Sequence, residues 1–496
     1  MAHERADSGA VGGGGDGAPI VVWLRRDVRL ADNTALAEAG RRTRRIIPLW
    51  VVDPALLSVP GMGAARVSFL YASLRELAGA LEALGSRLIV RRGDPRAIVP
   101  AVAREAGAAA VYWNDDYTPV ARARDAAVAT ALGADGVEAR GFTDALLHDP
   151  AEPVTAAGTP YTVYSPYRRA WLALPKPAVV AGPGRLEAVA EHIGGAAVPT
   201  EGDLGWTAVA TPPPGEAAAR RLLTDFTAER IAGYAEGCDV PASPAVSLLS
   251  PHLRFGTVSP RQVYWAAREA GARLGHPADR GVATFIAELA WREFFYHVAY
   301  HAPRMLRSSY NPQYDSLAWD NDPQAFAAWR EGRTGYPLVD AAMRQLNTTG
   351  WMHNRGRLVV GSFLTKDLLI SWQWSERYFM ERLADGDPIV NNGNWQWVAG
   401  TGCDAAPYFR IFNPTLQAQK FDPDGDYIRQ FVPELAHVPQ RYIHAPWAMP
   451  DEAQRASACR LGHDYPLPIV DHLAQRARTL AAYEAVRGGH ASQSNT

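Results

Sequence analysis

The sequence predicts an α/β domain built on a parallel sheet, joined by a long linker to a larger all-helical domain. Three observations predict it. Short β-branched runs alternate with amphipathic stretches up to about residue 148. A stretch rich in Pro, Gly and Ala follows, Leu174 to Gly215, containing PKPAVVAGPG and ATPPPGE. From Ala217 onward apolar residues recur at the helical period and strand signals vanish. The chain has 496 residues. Single cores stop growing at roughly 250–300 residues, so at least two domains are expected.

Taken in order, Met1–Gly17 is polar and glycine-rich, lacks the apolar core of a signal peptide, and reads as a flexible tail. Candidate strands are Pro19–Leu24, Ile46–Val51, Arg87–Arg91, Ala110–Trp113 and Val137–Arg140. Between the second and third, Val67, Leu70, Tyr71, Leu74, Leu77, Leu81 and Leu84 fall on one helix face. Such alternation implies a Rossmann-like parallel sheet with helices on both faces, which binds ligands at the carboxyl ends of its strands. The first strand runs into Arg25-Arg26-Asp27 with no GxGxxG, which argues against a standard dehydrogenase. The boundaries read as a tail over 1–17, an α/β domain over 18–148, a linker over 149–216, a helical domain over 217–488 and a short tail over 489–496.

Composition removes several function classes. Hydrophobic residues make up 47% and charged residues 21%, as in ordinary folded proteins. The net charge is −2, so any nucleic-acid contact must come from a local basic patch. The three cysteines, Cys238, Cys403 and Cys459, are far apart and form no CxxC, which excludes a disulfide framework and a cysteine-based zinc site. No apolar run approaches the roughly 18 residues of a membrane span. The expected location is the cytoplasm and the expected state a monomer.

The densest chemistry lies between Thr334 and Pro414, where Trp351, Trp372, Trp374, Trp395 and Trp397 stand among charged residues, with Trp319 just before. Indoles stack on flat rings and pass single electrons, so the stretch suits a flat polar cofactor. A Trp-rich helical core is the alternative. Ser247 and Ser250 precede a helix start, where hydroxyls and free amides can hold phosphate; plain capping by Ser250 is the alternative. Tyr234 could close the same pocket. Asp385-Gly386-Asp387 suits ribose or ribityl hydroxyls, and Arg357 could pair with Asp385 beneath a flat ring. Asn391 can donate to or accept from a ring nitrogen. A loop of turn residues would explain the same run. Glu288 and Trp291 share a helix face, a carboxyl beside a stacking indole that fits a base edge, with Asn354 and Arg355 adding polar reach. A solvated face with one core Trp is the alternative there.

Together these pieces resemble the cryptochrome/photolyase family, specifically the bacterial class I cyclobutane pyrimidine dimer photolyases. The resemblance runs from WLRRDVRLADN, Trp23–Asn33, to about Arg487, and TGYPLVDAAMRQL, WMHNR, DG-D, NNG-WQW and FRIFNP appear in family order and spacing. It implies FAD held by Tyr234, by Val246, Ser247, Leu248, Leu249 and Ser250, by Arg357, by Asp385, Gly386 and Asp387, and by Asn391 opposite the flavin N5. It implies an electron relay through Trp395, Trp372 and Trp319. It implies a light-dependent lyase acting on UV-damaged DNA, the dimer being flipped into the pocket and split by one electron from the reduced cofactor; photolyases are themselves a standard instance of base flipping. Glu288 would bond the dimer, Trp291 and Trp397 would pack on it, and Asn354, Arg355 and Gln417 would contact dimer or DNA. Asp53, Met62 and Asp116 match an antenna site, for 8-hydroxy-deazaflavin rather than methenyltetrahydrofolate.

Four positions depart from that pattern. Cys238 stands where an arginine usually meets the damaged strand, Leu358 replaces a methionine, Val246 replaces a threonine, and Leu248 stands where arginine or glycine is common. These changes predict weaker DNA binding more than lost chemistry. A blue-light sensor of the cryptochrome kind is the competing reading, and Asn391 argues against it because plant and animal cryptochromes often carry aspartate or cysteine there.

Overall fold

A computed structural model describes residues 17–493, with side chains through Arg487. The tail expected over 1–17 therefore lies outside the described residues except for Gly17. Five parallel strands form the sheet: β1 Ile20–Leu24, β2 Ile46–Val52, β3 Ile89–Arg92, β4 Ala110–Asn114 and β5 Glu138–Phe142, in the order β3-β2-β1-β4-β5. All five overlap their expected positions. Every residue of β1, β2 and β4 is buried, as strands covered on both faces require. The pleat divides β1 between two cores. Ile20, Val22 and Leu24 face the helix Ala64–Ala83, while Val21 and Trp23 face Val99, Val102 and Val128 on the opposite side.

The segment read as a linker is more ordered than its composition suggests. It contains a helix, Tyr164–Ala173, whose Tyr164, Tyr167 and Trp171 are buried in the core of the helical part. Those residues sit at i, i+3 and i+7, a complete aromatic face on only ten residues. Beyond it, residues 174–215 form a strap along the α/β unit. Leu186 donates its N–H to the Leu84 carbonyl at 2.9 Å, Ala196 bridges antiparallel to Val90, and Val189 and Ile193 are buried against the sheet. At the other end, the helix His472–Gln493 runs through most of the segment expected as a short tail over 489–496. No described helix is long and apolar enough to cross a membrane.

The chain after β1 ties the two parts together. Val28 donates its N–H to the Phe255 carbonyl at 3.1 Å. Gly256 lies beneath it with φ +65°, and a Cβ there would meet the Arg26 carbonyl oxygen at 2.0 Å. Only glycine suits both the left-handed backbone and that close approach. Arg29 binds Asp144 at 2.6 Å, and Arg261 from the helical part binds Asp144 at 2.7 Å and Asp32 at 3.0 Å. Burial alone would raise the Asp144 carboxyl, but Arg29 and Arg261 outweigh it and bring it down to about 2. A carboxyl whose folded value is depressed contributes stability above its unfolded value, near 4, and loses it as pH falls towards the folded value. We predict that Asp144→Asn costs about 3 kcal/mol at neutral pH, as the loss of one partner of a buried ionic cluster does. Denaturation compared at pH 7 and pH 2 should show the gap between wild type and variant narrowing in acid.

Candidate active site

A cavity of about 440 Å³ opens in the helical part, within the size range of small-molecule sites. The helix Asp279–His301 forms one wall with Glu288, Trp291 and Arg292. The helix Asn354–Ser362 adds Asn354, Arg357 and Leu358, and the helix Pro388–Ala399 adds Asn391, Trp395 and Trp397. Asp387 caps the latter, accepting the N–H groups of Ile389 at 3.0 Å and Val390 at 3.1 Å.

Most residues expected at the site meet here. Tyr234, Val246, Ser247, Leu249, Ser250, Arg357, Asp385, Gly386, Asp387 and Asn391 all line the cavity. Leu248 does not; it takes φ +58° between two residues that do, a conformation that explains why glycine suits the position. Ser250 does not cap its helix. It is the first helical residue after Leu249, and its hydroxyl receives the Trp351 indole N–H at 3.3 Å. Of the residues expected to meet DNA, Glu288, Trp291, Asn354 and Trp397 line the cavity, whereas Arg355 and Gln417 stand outside its wall. Arg355 is bound to Asp239 at 2.7 Å and lies over the Phe421 ring, and the Gln417 Oε1 is buried without a hydrogen-bond partner. Trp395 lines the cavity, Trp372 shares its core cluster, and half-buried Trp319 packs against that cluster and against Tyr314 and Tyr483.

The three residues expected at the antenna site stand on different parts of the α/β unit. Asp53 caps a short helix through the Ala55 N–H at 2.9 Å, and Met62 packs on the α/β core. Asp116 is engaged by Arg26 at 3.4 Å and the Thr118 N–H at 3.2 Å. The cavity beside Asp116 is about 10 Å³, room for one water, and neither Asp53 nor Met62 lines it.

The main cavity is electrostatically uneven. The Glu288 side chain is solvent-accessible in the open cavity, where desolvation by the surrounding protein, then the Asp239 charge, push its carboxyl up to about 7. Burial also disfavours the charge on Asp387, but Arg26 at 2.7 Å and Arg254 hold that carboxyl well below the usual range. Arg357 binds Asp385 at 2.8 Å, as its sequence position suggested, leaving the Asp385 Oδ1 buried without a partner. The Asn391 Nδ2 donates to the Glu376 carbonyl at 2.9 Å and its carboxylate at 3.2 Å; no hydrogen bond from the described residues reaches its Oδ1.

Two cavity arginines escaped the sequence reading. Arg292, the residue after Trp291, donates to the carbonyls of Ala145 at 2.8 Å and Leu253 at 3.3 Å. Carbonyl dipoles hold it without neutralising it, so it remains able to meet an anion. Arg254 donates to the Gly386 carbonyl at 2.9 Å, and its Nη1 is buried without a hydrogen-bond partner. Each orphaned polar atom costs about 1–3 kcal/mol, which a polar ligand would relieve. The donor set fits a dinucleotide: arginines and serine hydroxyls for a diphosphate, a carboxylate pair for sugar hydroxyls, an amide and indoles for a flat ring.

Known proteins match this chain over nearly its whole length. The family described as FAD binding domain of DNA photolyase matches residues 285–485, and that described as DNA photolyase matches residues 20–183. A deoxyribodipyrimidine photo-lyase of Agrobacterium fabrum is 43% identical over 95% of this chain and 98% of its own length. Among solved structures, a class III photolyase from Agrobacterium tumefaciens superposes with a TM-score of 0.88 at 41% identity, covering 97% of this chain and all of that one. A Synechocystis cryptochrome gives 0.87 at 29% identity over 94% of this chain and all of its own. Class I membership is a finer statement than these matches carry, since a class III enzyme matches over the whole length. The motifs, the two-part fold and the cavity all lie where these relatives match, and the chain belongs to the DNA photolyase family.

Proposed function

We propose that this protein is a deoxyribodipyrimidine photolyase, repairing cyclobutane pyrimidine dimers in DNA under blue light with FAD held in the large cavity. The single observation that carries the reading is the convergence of Glu288, Trp291, Asn354 and Trp397 on the same cavity as the Arg357–Asp385 pair and Asn391. Bound there in reduced form, FAD supplies the light absorption and the single electron that split the dimer. The residues of this chain do the rest. Arg292 and Arg254 offer positive charge to a diphosphate, and Ser247 and Ser250 add hydroxyl donors. Asn391, braced on Glu376, presents its amide to the ring. Trp291 and Trp397 supply flat faces for a dimer flipped from the duplex, which is cheaper to extrude than a normally paired base. Glu288 supplies a carboxyl that can donate when protonated. Trp395, Trp372 and Trp319 relay electrons inward from the surface to restore the reduced state. At the α/β unit, Asp53, Met62 and Asp116 support a deazaflavin antenna by position.

A sensory role shares the fold, as the cryptochrome similarity shows, but no residue of the cavity favours it over repair. The deciding experiment exposes a thymine-dimer oligonucleotide to the reduced protein in blue light and in the dark. Light-dependent recovery of thymines is expected; reduction of the flavin by light without repair would replace a repair enzyme with a sensor.

Three outcomes follow from the cavity. Below about pH 7 Glu288 is neutral and donates to a pyrimidine carbonyl; above it the carboxylate can only accept. Dimer affinity of the wild type should therefore fall about three- to tenfold between pH 6 and 8.5, the worth of one hydrogen bond, while Glu288→Gln stays flat. Parallel pH profiles would show that Glu288 does not touch the dimer. Trp319→Phe should slow photoreduction of the oxidised protein and leave repair by chemically reduced protein unchanged; normal photoreduction would remove Trp319 from the relay. Cys238 lines the cavity mouth beside Asp239 and Glu288. Cys238→Arg should tighten dimer-DNA binding by about tenfold at low salt and less at high salt, as an added phosphate contact does, and a salt-independent affinity would place the position off the DNA.

A further inference from the structure

Trp291 lines the cavity, and one face of its indole is covered. Tyr164 stacks on it with ring centroids 3.5 Å apart and planes 9° apart. Phe294 and Phe295 flank the same indole at 5.8 Å and 5.9 Å. Tyr164 comes from the short helix inside the segment that reads as a linker, far in sequence from the wall it supports. It is fixed at both ends. Its hydroxyl donates to the Ala287 carbonyl at 2.7 Å, one residue before Glu288 and four before Trp291. Its backbone N–H donates to the Asp404 carboxylate at 2.8 Å, and the neighbouring Cys403 thiol donates to the Thr162 carbonyl at 2.9 Å. Asp404 holds a left-handed backbone, φ +47°, in the loop that leaves the cavity helix. One tyrosine thus grips the turn of the Asp279–His301 helix that carries Glu288 and Trp291, and it joins that turn to the loop following the Pro388–Ala399 helix.

We infer that Tyr164 is a positioning residue for lesion recognition, holding the Trp291 ring plane and the Glu288 turn in the attitude that receives a flipped dimer. The inference rests on the reading of this cavity as a lesion pocket. Tyr164 touches neither cofactor nor dimer. It acts through the indole: an unsupported Trp291 can tilt or rotate, and part of the energy of stacking on the dimer then goes to re-ordering the ring. The hydroxyl contributes less than the ring, since it fixes backbone already held in a helix.

The test measures binding of dimer-containing and undamaged duplexes by the flavin-loaded protein, with thermal midpoint and flavin retention as controls. Tyr164→Ala and Tyr164→Leu, the second filling the space without a stacking plane, should each lose about three- to tenfold in dimer affinity, the span of an aromatic pair's coupling, with undamaged DNA bound as before. Tyr164→Phe should bind dimer DNA within about twofold of wild type, because the stack remains. In a Trp291→Ala background the Tyr164→Ala change should add nothing, a non-additivity that general loosening of the fold does not produce. Wild-type dimer affinity in Tyr164→Leu, or an equal loss with Trp291 absent, overturns the inference. A wild type that does not prefer dimer DNA at all removes the lesion-pocket reading beneath it, a result separate from either.

Discussion

The ion pair between Arg26 and Asp387 is the contact on which the site depends. Arg26 follows the first strand of the sheet, and Asp387 begins the helix that carries Asn391, Trp395 and Trp397. The Asp387 carboxylate also accepts the Tyr296 hydroxyl at 2.5 Å while capping its own helix. One buried carboxylate therefore fixes a helix start, a tyrosine of the Asp279–His301 helix and the α/β unit together. Removing one partner of such a pair leaves an uncompensated buried charge, worth about 3–5 kcal/mol. Asn391 and Trp395 lie one turn apart on that helix, so a shift at Asp387 moves both cavity residues as one body. The α/β unit, whatever pigment it carries, is in this sense part of the cavity's foundation.

Much of this was legible in the sequence, and the reason is local. The sheet was readable because β1, β2 and β4 are buried on both faces and appear as unbroken apolar runs. The cavity residues were readable because their types are rare in combination: a carboxylate pair around glycine, an amide, and indoles among arginines. What escaped is non-local. Arg254 and Arg292 look like any surface arginine until the carbonyls of Gly386, Ala145 and Leu253 are seen to hold them. Tyr164–Ala173 looked like connector because ten residues between Pro/Gly-rich stretches give too short a periodic signal. Its three aromatics make sense only against the Asp279–His301 helix. The antenna match is of another kind, naming Asp53, Met62 and Asp116 by position alone.

The two acidic ends of the cavity show how one pocket separates like groups by surroundings. Asp387 has two guanidinium neighbours and stays ionised. Glu288 has no cationic partner, faces the Asp239 carboxylate, and is pushed towards neutrality. The two surroundings thus push two like groups in opposite directions.

That separation also bears on the four departures from the photolyase pattern. Cys238, Val246 and Leu358 line the cavity, and Leu248 lies just outside it. None belongs to the Arg26–Asp387–Tyr296 contact, to the Arg357–Asp385 pair or to the turn holding Glu288 and Trp291. Val246 is held through its backbone carbonyl by Arg230 at 3.1 Å, a contact that any side chain permits. Leucine at 358 is close in volume to the methionine it replaces, a change that typically costs less than about 1.5 kcal/mol. Cys238 alone removes a charge from the mouth, and charge there governs encounter with DNA rather than the step at the ring. Cys238 and Leu358 therefore stand among the residues that would meet the lesion-bearing strand, Val246 and Leu248 stand in the segment that would hold the cofactor, and the carboxylates and arginines of the cavity are held by contacts that none of the four touches.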